Sequence, residues 1–275
     1  MITPGASSRE SELAMSWIGV DQLCQVASRD TAMAQIHWLS VYWQFDVPDF
    51  GHYLWWDDKG LSLKSAAFDV RSSVHVDFVE GTQARRIRAV TGEALTRAMG
   101  CQKGLRPAIF DATAGLGGDL SVLANIGCAV CAVERQPVVA ALLRDALRRA
   151  ENSDTGWCER VQLKCADSLD LMSHVSHGVV YIDPMFPKDR KTAPSLSMQV
   201  LHTLGGITEK PERLLDAALD SGAARVVVKR PIKADFLADR VPSSQVMGKT
   251  VRFDLYPRRK LTDEDSHPHQ GLIDG

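Results

Sequence analysis

Between residues 107 and 183 one pattern recurs: an apolar run that ends on an acid, followed by a glycine-led or amphipathic segment. PAIFDATAG, CAVCAVE, RVQLKCAD and GVVYIDP read as strands closing on Asp111, Glu134, Asp167 and Asp183, while LGGDLSVLANIG and RQPVVAALLRDALRRAEN read as helices. Farther on, PERLLDAALDSG reads as a helix and ARVVVKRP and TVRFDLYP as strands. Continuous apolar strands alternating with helices require a mainly parallel sheet covered on both faces, expected here over residues 105–257. In such a sheet the carboxyl ends of the strands share one edge, and ligands bind where the strand order reverses. A single acid after a strand often serves only as a helix N-cap, but four in succession argue for a shared ligand.

The rest of the chain is less regular. Residues 1–75 form an N-terminal α+β region of short strands or hairpins with a substrate-contacting role open to it: WLSVYWQFDVPDFGHYLWW is rich in strand formers, DDKG makes a turn, and LSLKSAAFDV alternates loosely. VHVDFVEG reads as one more strand and TQARRIRAVTGEALTRAMG as a helix closed by Gly100. The main domain is assigned to residues 76–260, and the polar end, 261–275, reads as a flexible tail in which His267 and His269 carry no weight. No apolar run approaches the ~20 residues that span a bilayer, and no basic stretch leads an apolar one at the N-terminus, so a cytoplasmic location without membrane association is expected. Six scattered cysteines suit a reducing compartment; Cys128 and Cys131 make a CxxC inside an apolar strand, with no second pair at zinc spacing, and read as core thiols rather than metal ligands. The net charge of -2 exerts no global pull on nucleic acid, so basic residues matter only where they cluster: Arg85, Arg86 and Arg88, then Arg144, Arg148 and Arg149, then Lys229, Arg230 and Lys233, and Arg258 to Lys260.

The loop after the first strand, DATAGLGGD, places Gly115, Gly117 and Gly118 where a ligand can approach the backbone closely. Glu134 stands 19 positions after Gly115 at the end of the next strand, suited to accept hydrogen bonds from both hydroxyls of a ribose. Dinucleotide enzymes and S-adenosylmethionine (SAM) enzymes share that arrangement. The third position of a GxGxxG pattern is Leu120 here, and the loop carries Asp111 and Asp119, which repel a pyrophosphate and attract a sulfonium and an amino group. SAM is therefore preferred over NAD. Asp167 and Ser168 are placed to meet an adenine edge, or simply to cap the helix that follows.

Asp183-Pro184-Met185-Phe186, after the fourth strand, looks like a variant of the [N/D/S]-P-P-[Y/F] tetrapeptide of methyltransferases acting on exocyclic amino groups. Together with DATAGLGGD, VERQPVVAALL, VVYIDPMFP and RVVVKRP, and with VDFVEG and TGEALTRAMG before them, it makes residues 74–257 resemble the small-subunit ribosomal RNA guanine-N2 methyltransferases of the RsmJ type. The sequence departs from them at Gly118, where their loop carries arginine, in RRIRAVTGE, which replaces a glycine-rich basic segment, and across the first 70 residues.

The resemblance implies a class I, Rossmann-like SAM-dependent methyltransferase that modifies the N2 amine of a guanine in 16S rRNA or the small ribosomal subunit, without a metal and without an obligate protein partner. It implies SAM contacts from Gly118, Asp119, Glu134, Arg135, Asp167, Ser168 and Asp183. A guanine N2 amine is a weak nucleophile, so Asp183 and a carbonyl near Pro184 are expected to accept its N–H bonds and align it, with Phe186 stacking on the extruded base. Arg85, Arg86, Arg88, Lys188, Lys229 and Arg230 are RNA-binding candidates, Lys229 and Arg230 as a phosphate grip at a strand end, and KDRKTAPSLSMQ as a substrate-contacting loop. The alternatives are an amino methyltransferase acting on DNA or a small molecule, an NAD-dependent oxidoreductase, and a non-catalytic RNA-binding module.

Overall fold

The computed structural model describes residues 52–57, 59–65, 73–89, 94–102, 104–153, 156–184 and 211–268. Its first elements are β1 (His52–Asp57), β2 (Gly60–Ser65) and β3 (Ser73–His75), an antiparallel sheet in the order β1-β2-β3. Gly60 closes the first hairpin at φ +98°, a value that costs glycine nothing. Two helices follow, α1 (Gly81–Arg88) and α2 (Ala94–Met99). The expected strand over VHVDFVEG is cut short because the Asp77 carboxylate accepts from the N–H groups of Val79 and Glu80, turning the chain.

The main sheet then builds as β4 (Ile109–Asp111), α3 (Gly118–Asn125), β5 (Val130–Glu134), α4 (Pro137–Glu151), β6 (Val161–Cys165), α5 (Ser168–Met172), β7 (Val179–Ile182), α6 (Pro211–Asp220), β8 (Arg225–Pro231), β9 (Ser244–Met247) and β10 (Val251–Pro257). Its order is β6-β5-β4-β7-β8-β10-β9; the first five are parallel, and β10 joins β8 and β9 antiparallel. This is the class I, Rossmann-like arrangement expected from the sequence, with its topological switch between β4 and β7.

Alternation along the strands sends neighbouring residues to opposite faces. Ile109, Val130, Val179, Tyr181 and Val227 pack into one core with Ile87, Leu95, Met99, Leu120, Leu123 and Leu142, from α1 to α4. Phe110, Cys131, Val180, Ile182 and Val226 pack into a second with Met172 of α5 and Leu215 of α6. Burial on both faces explains why these strands read as unbroken apolar runs. Helix α4 starts with Pro137, whose missing N–H is unneeded in a first turn, and ends with Arg148 and Arg149, whose charge suits a helix C-terminus.

Two buried carboxylates join parts that the sequence reading separated. Asp145 of α4, fully buried, accepts from the Leu61 amide of β2 at 2.9 Å and from Arg149 Nε at 2.8 Å, so the small sheet shares the main core through Leu61, Leu63 and Val74. Asp265, also fully buried, receives both arms of Arg259 at 2.7 Å and the Gly178 amide at 2.8 Å. The expected flexible tail is thus docked through residue 268, because Asp265 and Leu261 pack against the sheet; His269 lies outside the described residues. Cys128 pairs not with Cys131 but with Cys101, Sγ to Sγ at 3.5 Å.

Removing the Asp145 carboxylate strands the buried Leu61 amide and takes from the partly buried Arg149 its carboxylate partner. Asp145→Ala should lower the unfolding free energy by about 3 kcal/mol in urea titrations; a loss below about 1 kcal/mol would show that it is not the joint described.

Candidate active site at the switch between β4 and β7

At the carboxyl end of β4 the chain turns on Asp111, whose Oδ1 accepts from the Thr113 amide at 3.1 Å. Gly117 caps α3 at φ +77°, and a Cβ there would meet Leu143 Cδ1 at 2.6 Å and Phe78 Cζ at 2.9 Å, so both conformation and packing demand glycine. At Gly115 an added Cβ would find nothing nearer than the Thr113 carbonyl at 3.9 Å, so this part of the loop faces open space.

On one side, Glu134 ends β5 with Oε2 accepting from Gly115 N at 2.9 Å and Oε1 from Gln136 N at 2.7 Å. Each oxygen keeps a second lone pair for a ligand hydroxyl. Burial raises the Glu134 pKa, opposed by those two amides and by the neighbouring charge of Arg135. Asp167 caps α5, accepting from Leu169 N at 2.9 Å, and the buried Ser168 donates to the Ala112 carbonyl at 2.6 Å. Asp167 therefore performs the capping role the sequence allowed, and Ser168 ties the third strand end to the first loop.

On the other side, Asp183 leaves β7 with its amide donating to Thr113 Oγ1 at 2.7 Å, which locks the two strand ends together; Pro184 follows and is buried. Lys229 of β8 donates from one Nζ to Asp183 Oδ2 and to Asp119 Oδ2, both at 2.8 Å. Asp119 Oδ2 also accepts from the Tyr181 hydroxyl at 2.6 Å, and its Oδ1 accepts from Arg86 Nη2 at 2.6 Å. Arg86 Nη1 reaches the Gly118 carbonyl at 3.1 Å. Where the resembling enzymes carry arginine in the loop, this chain has Gly118, and an added Cβ there would lie 3.6 Å from Arg86 Nη1. Helix α1 thus brings a guanidinium to the loop from outside it.

Several expectations change. Lys229 was read as a phosphate grip but turns inward between two carboxylates, because an ammonium at a crowded acidic edge is held by the nearest opposite charges. Arg230 is buried, and its guanidinium donates to the Asp235 carbonyl. Arg86 is tied to the loop; Arg85 and Arg88 remain on the exposed face of α1, making local contacts to Thr82 and the Val79 carbonyl. Phe186, Lys188 and the KDRKTAPSLSMQ segment lie outside the described residues. The sequence reading missed Tyr181 and Thr113. A tyrosine inside the apolar run VVYI was the available signal, since a buried hydroxyl requires a partner.

The carboxylates are driven apart in acidity. Burial raises Asp111 to about 8, with Asp119, Asp183 and Glu134 adding to the rise, so it holds its proton at neutral pH. Burial also works to raise Asp119, but Lys229 and Arg86 outweigh it and hold the group at about 2. Burial raises Asp183 too, Lys229 pulls it down and Asp119 pushes it up. Among the described residues, no group of three or more His, Cys, Asp or Glu could hold a metal ion, and no helix is long and apolar enough to cross a membrane. A glycine loop facing open space beside a carboxylate whose two oxygens each keep a lone pair fits a ligand that carries a ribose diol.

Comparison with known proteins agrees. The family described as "Putative SAM-dependent methyltransferase" matches residues 40–258. The ribosomal RNA small subunit methyltransferase J of Pseudomonas syringae pv. syringae is 40% identical over 222 residues, covering 78% of this chain and 82% of that protein. The protein of the same name from Cellvibrio japonicus is 38% identical over 221 residues, covering 75% and 83%. The crystal structure of a SAM-dependent methyltransferase from Neisseria gonorrhoeae superposes with a TM-score of 0.62 at 32% identity, covering 82% of this chain and 90% of that one. All are methyltransferases, which favours SAM over the nicotinamide alternative.

Protonated Asp111 has a thermodynamic signature. A folded-state pKa above the ordinary 3.8 means that the native state retains a proton the unfolded chain has lost, so the group's contribution is full below pH 4 and declines as pH rises toward 8. Asp111→Asn lacks that decline. The unfolding free energy of the variant relative to the parent should rise between pH 5 and 8, by at most about 1.4 kcal/mol per pH unit; a difference independent of pH would mean that Asp111 is ionised in the fold.

Proposed function

The chain belongs to the SAM-dependent methyltransferase family that includes the ribosomal RNA small subunit methyltransferases J, and from that premise we propose that it methylates the exocyclic N2 amine of a guanine in 16S rRNA. The observation that carries the reading is Asp183: a carboxylate at the switch point, fixed through its amide and its Oδ2, whose Oδ1 has no partner among the described residues. Such an oxygen suits an amine N–H, and the buried proline after it limits how far the backbone can drift.

Gly115, Gly117 and Gly118 would bring the backbone close to the cofactor, Glu134 would take the ribose hydroxyls, Arg135 would flank them, and Asp167 with Ser168 would bound the adenine side. Asp119 would act at a distance, its oxygens being engaged by Arg86, Tyr181 and Lys229. Bound SAM supplies an electrophilic methyl group. What the protein contributes is alignment: Asp183 Oδ1 and a nearby main-chain carbonyl hold the two N–H bonds so that the nitrogen lone pair points at the methyl carbon. As the nitrogen gains positive character, the Asp183 carboxylate stabilises it, and the surplus proton leaves to that oxygen or to water. Phe186 would stack on the extruded base, and Arg85 and Arg88, on the exposed face of α1, would meet the phosphate backbone. The substrate is 16S rRNA, alone or within the small ribosomal subunit.

The test is methyl transfer from labelled SAM to small-subunit ribosomal RNA taken from cells lacking the gene, followed by nucleoside analysis. N2-methylguanosine is expected. Asp183→Ala should cut turnover by about a thousandfold, and Glu134→Ala should mainly raise the KM for SAM, by about tenfold. Label on a different base, or turnover of Asp183→Ala equal to the parent, would overturn the assignment.

A further inference from the structure

We propose that Lys229 is a positioning residue for the transfer: by bridging Asp119 and Asp183 it commits Asp183 Oδ2 and turns Oδ1 toward the substrate amine. The inference rests on the reading of Asp183 given above and adds a residue on another strand, one whose ammonium is held by two carboxylates and acts through Asp183.

The geometry is specific. A single Nζ lies 2.8 Å from each carboxylate, and the Lys229 side chain is 23% exposed. Its partner Asp119 is itself immobilised by Tyr181 of β7 and Arg86 of α1, so Lys229 hangs from a fixed point and transmits that fixity to Asp183. Without the bridge, the Asp183 carboxylate would be free to rotate about χ2, a torsion with broad minima. Its amide tie to Thr113 would hold the backbone but not the oxygens.

Among the described residues, the charges that act on Asp183 come from α1, α3 and β8. Lys229 of β8 and Arg86 of α1 favour its ionised form, and Asp119 of α3 opposes it. Asp111 of β4 and Tyr181 of β7 feel the Asp183 charge in turn. Burial already disfavours the carboxylate, so losing the nearest cation must make Asp183 harder to ionise. A phosphate grip at the same residue would behave differently, since it would act on RNA affinity and leave turnover and its pH dependence alone.

The experiment compares the parent protein with K229M and K229R for methyl transfer to ribosomal RNA across pH, with circular dichroism and calorimetric titration of S-adenosylhomocysteine as controls of folding. K229M should lose about a hundredfold in kcat, with the KM for RNA within about threefold of the parent. The acid limb of its pH profile should move to higher pH by about one unit or more. K229R, which keeps the charge with altered reach, should lose about tenfold with the limb unmoved. If K229M does not fold, K229R decides alone, and parental kcat in that variant overturns the proposal. A raised KM for RNA with unchanged kcat and pH profile in K229M would return Lys229 to phosphate binding. Failure of the parent protein itself to make N2-methylguanosine would instead refute the function on which the proposal stands.

Discussion

The carboxylate of Asp119 receives hydrogen bonds from three elements at once, from Arg86 of α1, Tyr181 of β7 and Lys229 of β8, while its backbone opens α3. A charge buried this deeply is costly unless every oxygen is matched, and here burial is outweighed by two cations and a hydroxyl. The constraint runs outward from that point. The glycine loop takes its path because α3 must begin beneath Asp119, Tyr181 must stand in β7 to reach it, and Lys229 arrives beside Asp183 because it is bound for Asp119. The acidic strand edge is thus assembled around one buried charge.

Neighbouring acids at that edge behave as opposites because their surroundings differ. Among the described residues, Asp111 has one backbone donor and no cation in contact, so burial decides and raises it to about 8; Asp119, at the start of the helix that follows, has cations on both oxygens and is held at about 2. Asp183, more open, shares one cation with Asp119; burial raises it and Lys229 pulls against that rise. Groups of one chemical type held in distinct states allow a small site to offer both a fixed charge and an adjustable acceptor. A neutral Asp111 also limits repulsion among acids that would otherwise crowd one edge.

Sequence reasoning reached the parallel sheet and the row of acids along its edge because both are written locally: two-sided burial forces unbroken apolar strands, and each strand announces its end with an acid. Glu134 was legible for the same reason, since its distance from the glycine loop is set by one helix and one strand. Lys229 was misread because its partners lie 110 and 46 residues away, and strand order rather than spacing brings them together. The loop contacts of Arg86, named only as an RNA-binding candidate, and the partner of Tyr181 escaped for the same cause, as did the docking of residues 261–268, where an aspartate in a polar stretch is buried by an arginine six positions before it and an amide 87 before it. The antiparallel end of the sheet carries the exposed strand β9, which lacks the apolar signature that made the central strands visible.

In the proposed function the ribose side of the ligand lies against Glu134 and the transfer side against Asp183, on either flank of the first loop. A crystal structure of the protein with S-adenosylhomocysteine tests this most directly. Both ribose hydroxyls are expected on the Glu134 carboxylate, the sulfur on the Asp183 side of the loop, and Lys229 still bridging Asp119 and Asp183. An adenosine placed away from β5, or a Lys229 swung out to bind the cofactor or solvent, would contradict it.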